Sequence, residues 1–275
     1  MILRPNVSIL MSVYFSDSAE DLSVALQSLQ KQTIKSNDLV VVLDGPVTKS
    51  IENVINEFYV NSNLPTTIHR LEQNQGLGKA LRAGLLHTKN EIVFRADSDD
   101  ISDPQRFEKE LDFLLSNPRV SVVGSNVAEF KRNPKKIEAV RAVPESHEEI
   151  IKFARRRSPL NHPSVVFKKS AVIAAGNYQD FKSLEDYHLW GRMLNLGFVF
   201  ANIPENLVFM KSGEEMYRRR GGFKYWRQYL KLRRIFTKWG LTNNKDELVA
   251  NTMMTVNVLL PPKIRKKAYE ILLRK

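Results

Sequence analysis

The stretch "EIVFRADSDDISDPQRF" (residues 91–107) joins an apolar run, Ile92-Val93-Phe94, to three closely spaced carboxylates, Asp97, Asp99 and Asp100. The run reads as a buried strand. Acids this close repel one another unless something positive sits among them. Asp103 and Pro104 form an N-cap and first-turn pair, which predicts a helix from there through about Ser116. The helix dipole accounts for Asp103 and bears on Asp100, but not for Asp97 and Asp99, which emerge directly from the strand.

Working outward, the same alternation repeats. "VSILMSVY" (7–14) and "DLVVVLDG" (38–45) are short apolar runs of the kind that suits a sheet covered on both faces. Ser18 predicts a helix start with Asp21 as capping-box acid, followed by Leu22, Ala25, Leu26 and Leu29 at helical spacing. A helix is expected over about 48–60, a weaker strand over 66–72, a Gly-rich turn running into a helix over 74–88, and a fifth strand over 120–130. This order predicts an α/β fold with a mainly parallel, doubly wound sheet. Ligands bind such sheets beyond the carboxyl ends of the strands. Asp44 ends the second strand, and Asp97 and Asp99 end the fourth, so both acidic positions belong to one sheet edge.

Composition bounds the rest. The chain has 275 residues, 43% of them hydrophobic, and no cysteine. Thiolate catalysis, disulfides and cysteine-bound zinc are therefore excluded. No apolar run approaches ~18 residues and the N-terminus is a poor signal peptide, so a cytoplasmic protein is expected. The net charge of +12 is uneven: residues 1–150 carry −4 and residues 151–275 carry +16. A strongly basic second half points to an anionic partner.

Four readings compete for the acid cluster. Asp97, Asp99 and Glu108 match the first, third and twelfth positions of a calcium loop, but Ile101, Ser102 and Pro104 break that pattern. An aspartate-nucleophile phosphatase places its acids after the first strand, not the fourth. Helix capping leaves Asp97 and Asp99 unexplained. What remains is an Asp-x-Asp that holds Mg²⁺ or Mn²⁺ through few protein ligands, with a substrate diphosphate completing the shell.

The motifs "SILMSVY", "VVLDG", "NQGLGKAL", "RADSDDISDPQRF", "NHPSVVFKKS" and "LEDYHLWGRML" occur in the order found in inverting family 2 glycosyltransferases of bacterial surface-polysaccharide assembly (O-antigen, capsule or exopolysaccharide), which the chain resembles over about residues 5–210. The resemblance implies a GT-A fold over 1–210, with a nucleotide-binding half (1–130) and an acceptor half (131–210), followed by a basic, mostly helical tail (211–275). It implies contacts to a nucleotide-sugar from Val13, Tyr14, Asp44, Asn74, Gly76, Lys79, Arg95, Asp97 and Ser98. Asp99, with Asp97, would hold Mn²⁺ or Mg²⁺, and Asp186 would be the catalytic base. Arg82 departs from the Asn found in many relatives. Glu185, His162, Trp190, Arg219 and Arg220 are candidates for acceptor or diphosphate contacts. The implied substrates are a UDP-sugar donor and a polyprenyl-diphosphate-linked saccharide acceptor. Rhamnosyl transfer from dTDP-rhamnose is one alternative. A sugar nucleotidyltransferase is another, although "SVYFSDSAED" lacks the Gly-rich phosphate loop which that class carries after its first strand.

In the tail, Tyr225, Tyr229, Leu232, Phe236 and Trp239 share one helical face, with Lys224, Arg227, Lys231, Arg234 and Lys238 mostly elsewhere. A basic amphipathic helix with aromatic residues suggests an element lying on the inner face of the plasma membrane; packing of that face on the catalytic domain is the alternative. "YRRRGG" (217–222) reads as a loop able to close on diphosphate, and "PPKIRKKAYEILLRK" (261–275) as a second basic amphipathic segment. A nucleic-acid binder is disfavoured, because the tail carries no reading motif and the acid cluster would be left unexplained.

Overall fold

A computed structural model describes residues 4–211 and 222–260. Arg218, Arg219, Arg220 and the segment 261–275, singled out above, lie outside the described residues.

Among the described residues nine strands form one sheet in the order β3-β2-β1-β4-β8-β6-β9-β5, with β7 paired to β6. The first part is parallel throughout: β1 (Val7–Val13) lies between β2 (Asp38–Leu43) and β4 (Ile92–Asp97), and β3 (Thr66–Arg70) flanks β2. With β3 half-buried at the sheet edge, β1, β2 and β4 are buried on both faces by α1 (Ala19–Gln30), α2 (Lys49–Asn61) and α3 (Leu77–His87). That is why their sequences read as continuous apolar runs instead of alternating ones.

Beyond β4 the sheet becomes mixed. β8 (Val166–Lys168) inserts antiparallel between β4 and β6 (Val120–Phe130), so the expected fifth strand is not the neighbour of the fourth. The long β9 (Val199–Lys211) runs parallel to β6, and β7 (Ala139–Arg141) pairs antiparallel with Val127–Glu129 of β6. Strands β8 and β9 of the second half thus pair directly with β4 and β6 of the first. The α/β architecture and the C-terminal helical region are those expected.

Several local expectations change. The helix predicted from Asp103 begins later, as α4 (Arg106–Ser116) with Gln105 at the cap. Residues Asp100–Ser102 instead form β5, antiparallel to β9. Asp103 shapes the turn between them, its carboxylate accepting from Gln105 N at 2.9 Å. Tertiary pairing with Val208–Met210 overrides the local helix signal. At α1, Ser18 caps as expected by accepting from Asp21 N, but the Asp21 carboxylate accepts from Lys211 Nζ at 2.8 Å.

The parallel half is closed on one side by α4, whose Phe107 stacks on Phe94 at 4.1 Å between ring centroids. Burying each such large apolar side chain contributes roughly 1.5–3 kcal/mol. On the other side lie α5 (His147–Ala154), α6 (Lys169–Ala174) and α7 (Glu185–Asn195). The tail forms α8 (Phe223–Lys238) and α9 (Asn244–Leu259). The aromatic face of α8 is not presented outward: Tyr229, Leu232 and Phe236 are buried against Phe181, Leu184 and Tyr187, with Tyr225 and Trp239 partly buried around them. Phe236 meets Tyr187 edge-on at 4.9 Å. Packing of this face onto the body of the fold, the alternative weighed above, is what the structure shows. No helix of the described residues is long and apolar enough to cross a membrane.

Candidate active site

Strand register collects the acids. β1 pairs β4 with Ser12 opposite Asp97, and pairs β2 with Val13 opposite Leu43. Asp44 N donates to Val13 O at 2.8 Å. Tyr14, Asp44 and Asp97 thus leave the sheet side by side, as expected at the carboxyl edge.

The centre is the group Asp97, Asp99 and Asp100, which offer carboxylate oxygens lying within 4.8 Å of one another. Asp100 is buried, and neither of its carboxylate oxygens has a hydrogen-bond partner. Burial first, then the charges of Asp97 and Asp99, holds its carboxyl well above the usual range, with Arg95 and Arg141 opposing. A buried carboxylate without a donor is costly unless a cation supplies the missing charge. Three hard oxygen donors in this state fit Mg²⁺ or Mn²⁺. The sequence reading had left Asp100 with the helix terminus; β5 turns it inward instead. Alternation of facing within that three-residue strand was the available signal, but nothing local marks Asp100–Ser102 as a strand.

Arg95 is the fixed positive charge beside the cluster. It is buried in β4 and ion-paired through Nη1 with Asp97. Burial alone would lower its pKa; the Asp97 carboxylate reverses this and raises it. Arg106 supports it from behind, donating Nη2 to the Arg95 carbonyl at 2.9 Å while Nε meets Glu110 at 3.2 Å.

Around the cluster the nucleotide-side candidates divide into packed and open groups. The Val13 side chain is in the core. Tyr14 is half-buried and packs edge-on against Phe15 at 5.6 Å. Asp44 is buried, and its two carboxylate oxygens accept from Gln75 N at 2.6 Å and Gly76 N at 2.9 Å. It therefore clamps the Gly-rich turn that opens α3. Gly45 makes that clamp feasible: its φ is +84°, and a Cβ there would stand 2.4 Å from Asn74 N. Asn74 is exposed and returns Nδ2 to the Asp44 carbonyl at 3.2 Å. Gly76 has φ +90° at the start of α3. Lys79 is exposed and pairs with Asp180 at 3.1 Å.

Ser98 is buried and donates to Asp17 Oδ2 at 2.7 Å; the same oxygen accepts from Tyr14 N at 3.1 Å. Asp17, not singled out in the sequence, ties the loop after β1 to the acid loop after β4.

The helix α7 presents Glu185 and Asp186 at its first turn. The approach is through backbone in the left-handed region at Asn177 (φ 56°) and Ser183 (φ 66°), a conformation few non-glycine residues adopt. Glu185 is buried, and burial, reinforced by Asp186, pushes its carboxyl up to about 7. Asp186 is less buried and is approached by Ser158 Oγ at 3.5 Å. Tyr178, another residue the sequence reading missed, spans the two sides. Burial raises its hydroxyl pKa; Arg95 opposes this, and Asp186, Glu185 and Asp97 reinforce it. One phenol thus feels the charges of both acidic stations, whose sequence positions lie far apart.

His162 sits beneath this bridge, Nε2 lying 2.9 Å from the Tyr178 hydroxyl. Burial, then Arg95, holds its pKa well below the usual value, so it is neutral at pH 7. Trp190 is 0% exposed and meets His162 edge-on at 6.1 Å. The structure therefore corrects the acceptor-contact expectation for Trp190: its ring is packed in the core behind His162 and lines no open surface. Arg82 is exposed, its carbonyl accepting from Asn177.

The family described as glycosyl transferase family 2 matches residues 8–175. The chain is 37% identical over 272 residues to the UDP-Gal:alpha-D-GlcNAc-diphosphoundecaprenol beta-1,3-galactosyltransferase of Escherichia coli, covering 98% of each chain. It is 38% identical over 263 residues to the amylovoran biosynthesis glycosyltransferase AmsE of Erwinia amylovora, covering 96% of this chain and 97% of that one. Among solved structures it is similar to the mannosyltransferase PcManGT of Pyrobaculum calidifontis in complex with GDP-Man and Mn²⁺, with a TM-score of 0.64 and 15% identity over 98% of this chain and 81% of that one. At that identity the likeness speaks for the fold.

Proposed function

The chain belongs to glycosyl transferase family 2, and on that premise we propose that it transfers a hexose or N-acetylhexosamine from a UDP-sugar to a hydroxyl of a polyprenyl-diphosphate-linked saccharide, inverting the anomeric centre, in cell-surface polysaccharide synthesis. The observation that carries the reading is a pair of carboxylate stations close enough for one buried phenol, Tyr178, to feel the charges of both. One is Asp97, Asp99 and Asp100, with its buried, donorless Asp100. The other is Asp186 at the start of α7. The names of the E. coli and Erwinia relatives support the donor, the lipid-linked acceptor and the polysaccharide product. Family membership displaces the nucleotidyltransferase alternative.

The chemistry assigns a task to each station. The bond between the anomeric carbon and the diphosphate oxygen breaks, and its electron pair leaves with UDP. A divalent ion held by Asp97, Asp99 and Asp100 would supply Lewis-acid stabilisation of that leaving group. Arg95 fixes Asp97 through their ion pair, and Asp17 fixes Ser98, so the acid loop is held before substrate arrives. Asp186 takes the proton of the attacking acceptor hydroxyl. Attack on the face opposite the departing diphosphate converts an α-linked donor into a β-linked product. Glu185, raised to about 7, is largely protonated below neutrality and so adds little negative charge beside Asp186 there. Tyr14 and the turn 74–76 flank the same edge, where the nucleotide base and ribose would lie.

A panel of UDP-glucose, UDP-galactose, UDP-N-acetylhexosamines and dTDP-rhamnose, offered with a synthetic lipid-diphosphate sugar, with Mn²⁺ and with chelator, tests the reading. Transfer from a UDP-sugar, lost with chelator and in Asp99→Ala, is expected. Transfer at an undiminished rate in Asp99→Ala, or from dTDP-rhamnose alone, overturns it.

A further inference from the structure

The charges of α9 are confined to its first turn, Lys245, Asp246 and Glu247; from Leu248 to Leu260 no residue is charged. One side of the helix is accounted for. Ala250 is buried and Met254 packs against the cluster containing Tyr229 and Phe236, while Thr255 accepts from Trp226 Nε1 at 2.9 Å. The other side is mostly apolar as well, interrupted by exposed Thr252: Leu248 is 68% exposed, Met253 59% and Leu259 77%, with Val249 and Val256 also exposed. Positions 249, 253 and 256 share a face at helical spacing. An ordinary surface helix turns polar residues outward; this one turns apolar residues both ways.

We infer that the outward face of α9 is a docking surface for an anionic phospholipid bilayer, a role the aromatic face of α8 does not fill because it is spent on packing against α7. The inference rests on the proposal above that the acceptor is carried on a membrane lipid. Charge selects the occupant. Lys224, Arg227, Lys231, Arg234 and Lys238 are exposed along α8, and residues 151–275 carry a net +16. A second copy of the chain would bring two strongly cationic surfaces together. An anionic bilayer attracts the same charges and takes up the apolar row at its headgroup boundary. Exposed Phe223 at the start of α8 adds an aromatic side chain to the unit.

The test is flotation of the full chain with phosphatidylethanolamine/phosphatidylglycerol vesicles and with phosphatidylcholine vesicles. A triple variant, Leu248→Gln with Met253→Gln and Val256→Gln, removes apolar surface at exposed positions without altering charge, and Gln is a good helix former. Circular dichroism and transfer to a water-soluble short-chain acceptor are expected to be unchanged. The wild type is expected to float with the anionic vesicles, and the triple variant to partition about tenfold more weakly or worse. Arg227→Gln with Arg234→Gln is expected to flatten the salt dependence of flotation. The inference is overturned if the wild type does not float or the triple variant floats equally well. It is likewise overturned if sedimentation shows a dimer that the triple variant dissociates while flotation is absent, which would make a second copy the occupant. Flotation that depends on α9, with no transfer to any lipid-diphosphate acceptor, supports the surface and overturns the acceptor instead.

Discussion

Replacing Glu185 by Gln separates the two acids at the start of α7. In the folded protein the Glu185 carboxyl is raised from its ordinary 4.5 to about 7, first by burial and then by the charge of Asp186. The side chain is 8% exposed, so solvent screens little of this. At 1.36 kcal/mol per pH unit the difference corresponds to a ceiling of roughly 3 kcal/mol. The sign follows from proton binding. Between about pH 4.5 and pH 7 the folded chain keeps a proton that the unfolded chain has lost. The associated stability is therefore fully present below about 4.5 and is lost as the pH rises through about 7. Gln cannot ionise and does not incur this loss. Urea denaturation of both proteins at pH 5 and pH 8 reads the effect. Contributions from Glu110 and Asp100, also raised, are common to both chains and cancel in the difference. The variant should gain relative to wild type by up to roughly 3 kcal/mol at pH 8 and by much less at pH 5, and it should still turn over, because the proposed base is Asp186. An equal stability difference at both pH values, or a variant less stable at pH 8, refutes the assignment of Glu185 as a buried, raised acid.

Asp186→Asn is expected to retain UDP affinity by calorimetry while kcat falls on the order of 10²–10⁴-fold; near wild-type turnover would move the base elsewhere. Gly45→Ala places a Cβ 2.4 Å from Asn74 N on a backbone with φ +84°, so a loss of at least about 1–3 kcal/mol in denaturation midpoint analysis is expected, with weaker UDP binding as the 73–76 turn shifts. Gly191→Ala drives a Cβ to 2.3 Å from the Phe236 ring; about 1–3 kcal/mol of destabilisation is expected. Combining Gly191→Ala with Phe236→Leu should recover part of it, and strictly additive losses would argue against that contact.

The sequence by itself determined the parallel half of the fold and the sheet edge at which the acids gather. Buried strands there are contiguous apolar runs, their helices carry 3.6-residue periodicity, and Asp44, Asp97 and Asp99 follow strand ends directly. Motif order carried the assignment of the acids, because the carboxyl edge of a parallel sheet is a topological consequence of strand–helix alternation. What only the tertiary structure decided lies where a residue's environment comes from distant chain. Asp103 and Pro104 promised a helix start, but pairing with β9 drew Asp100–Ser102 into a strand and turned Asp100 into the cluster. Trp190 and Asp186 lie on one helix, yet Trp190 is sealed in the core and Asp186 is partly exposed. Tyr178 and Asp17 matter through partners 16 and 81 residues away. Periodicity also defined an aromatic face on α8, but an amphipathic helix has the same pattern whether its apolar side meets a membrane or a neighbouring helix. Burial against α7 answered that, and left the uncharged outer face of α9 as the surface still to be covered.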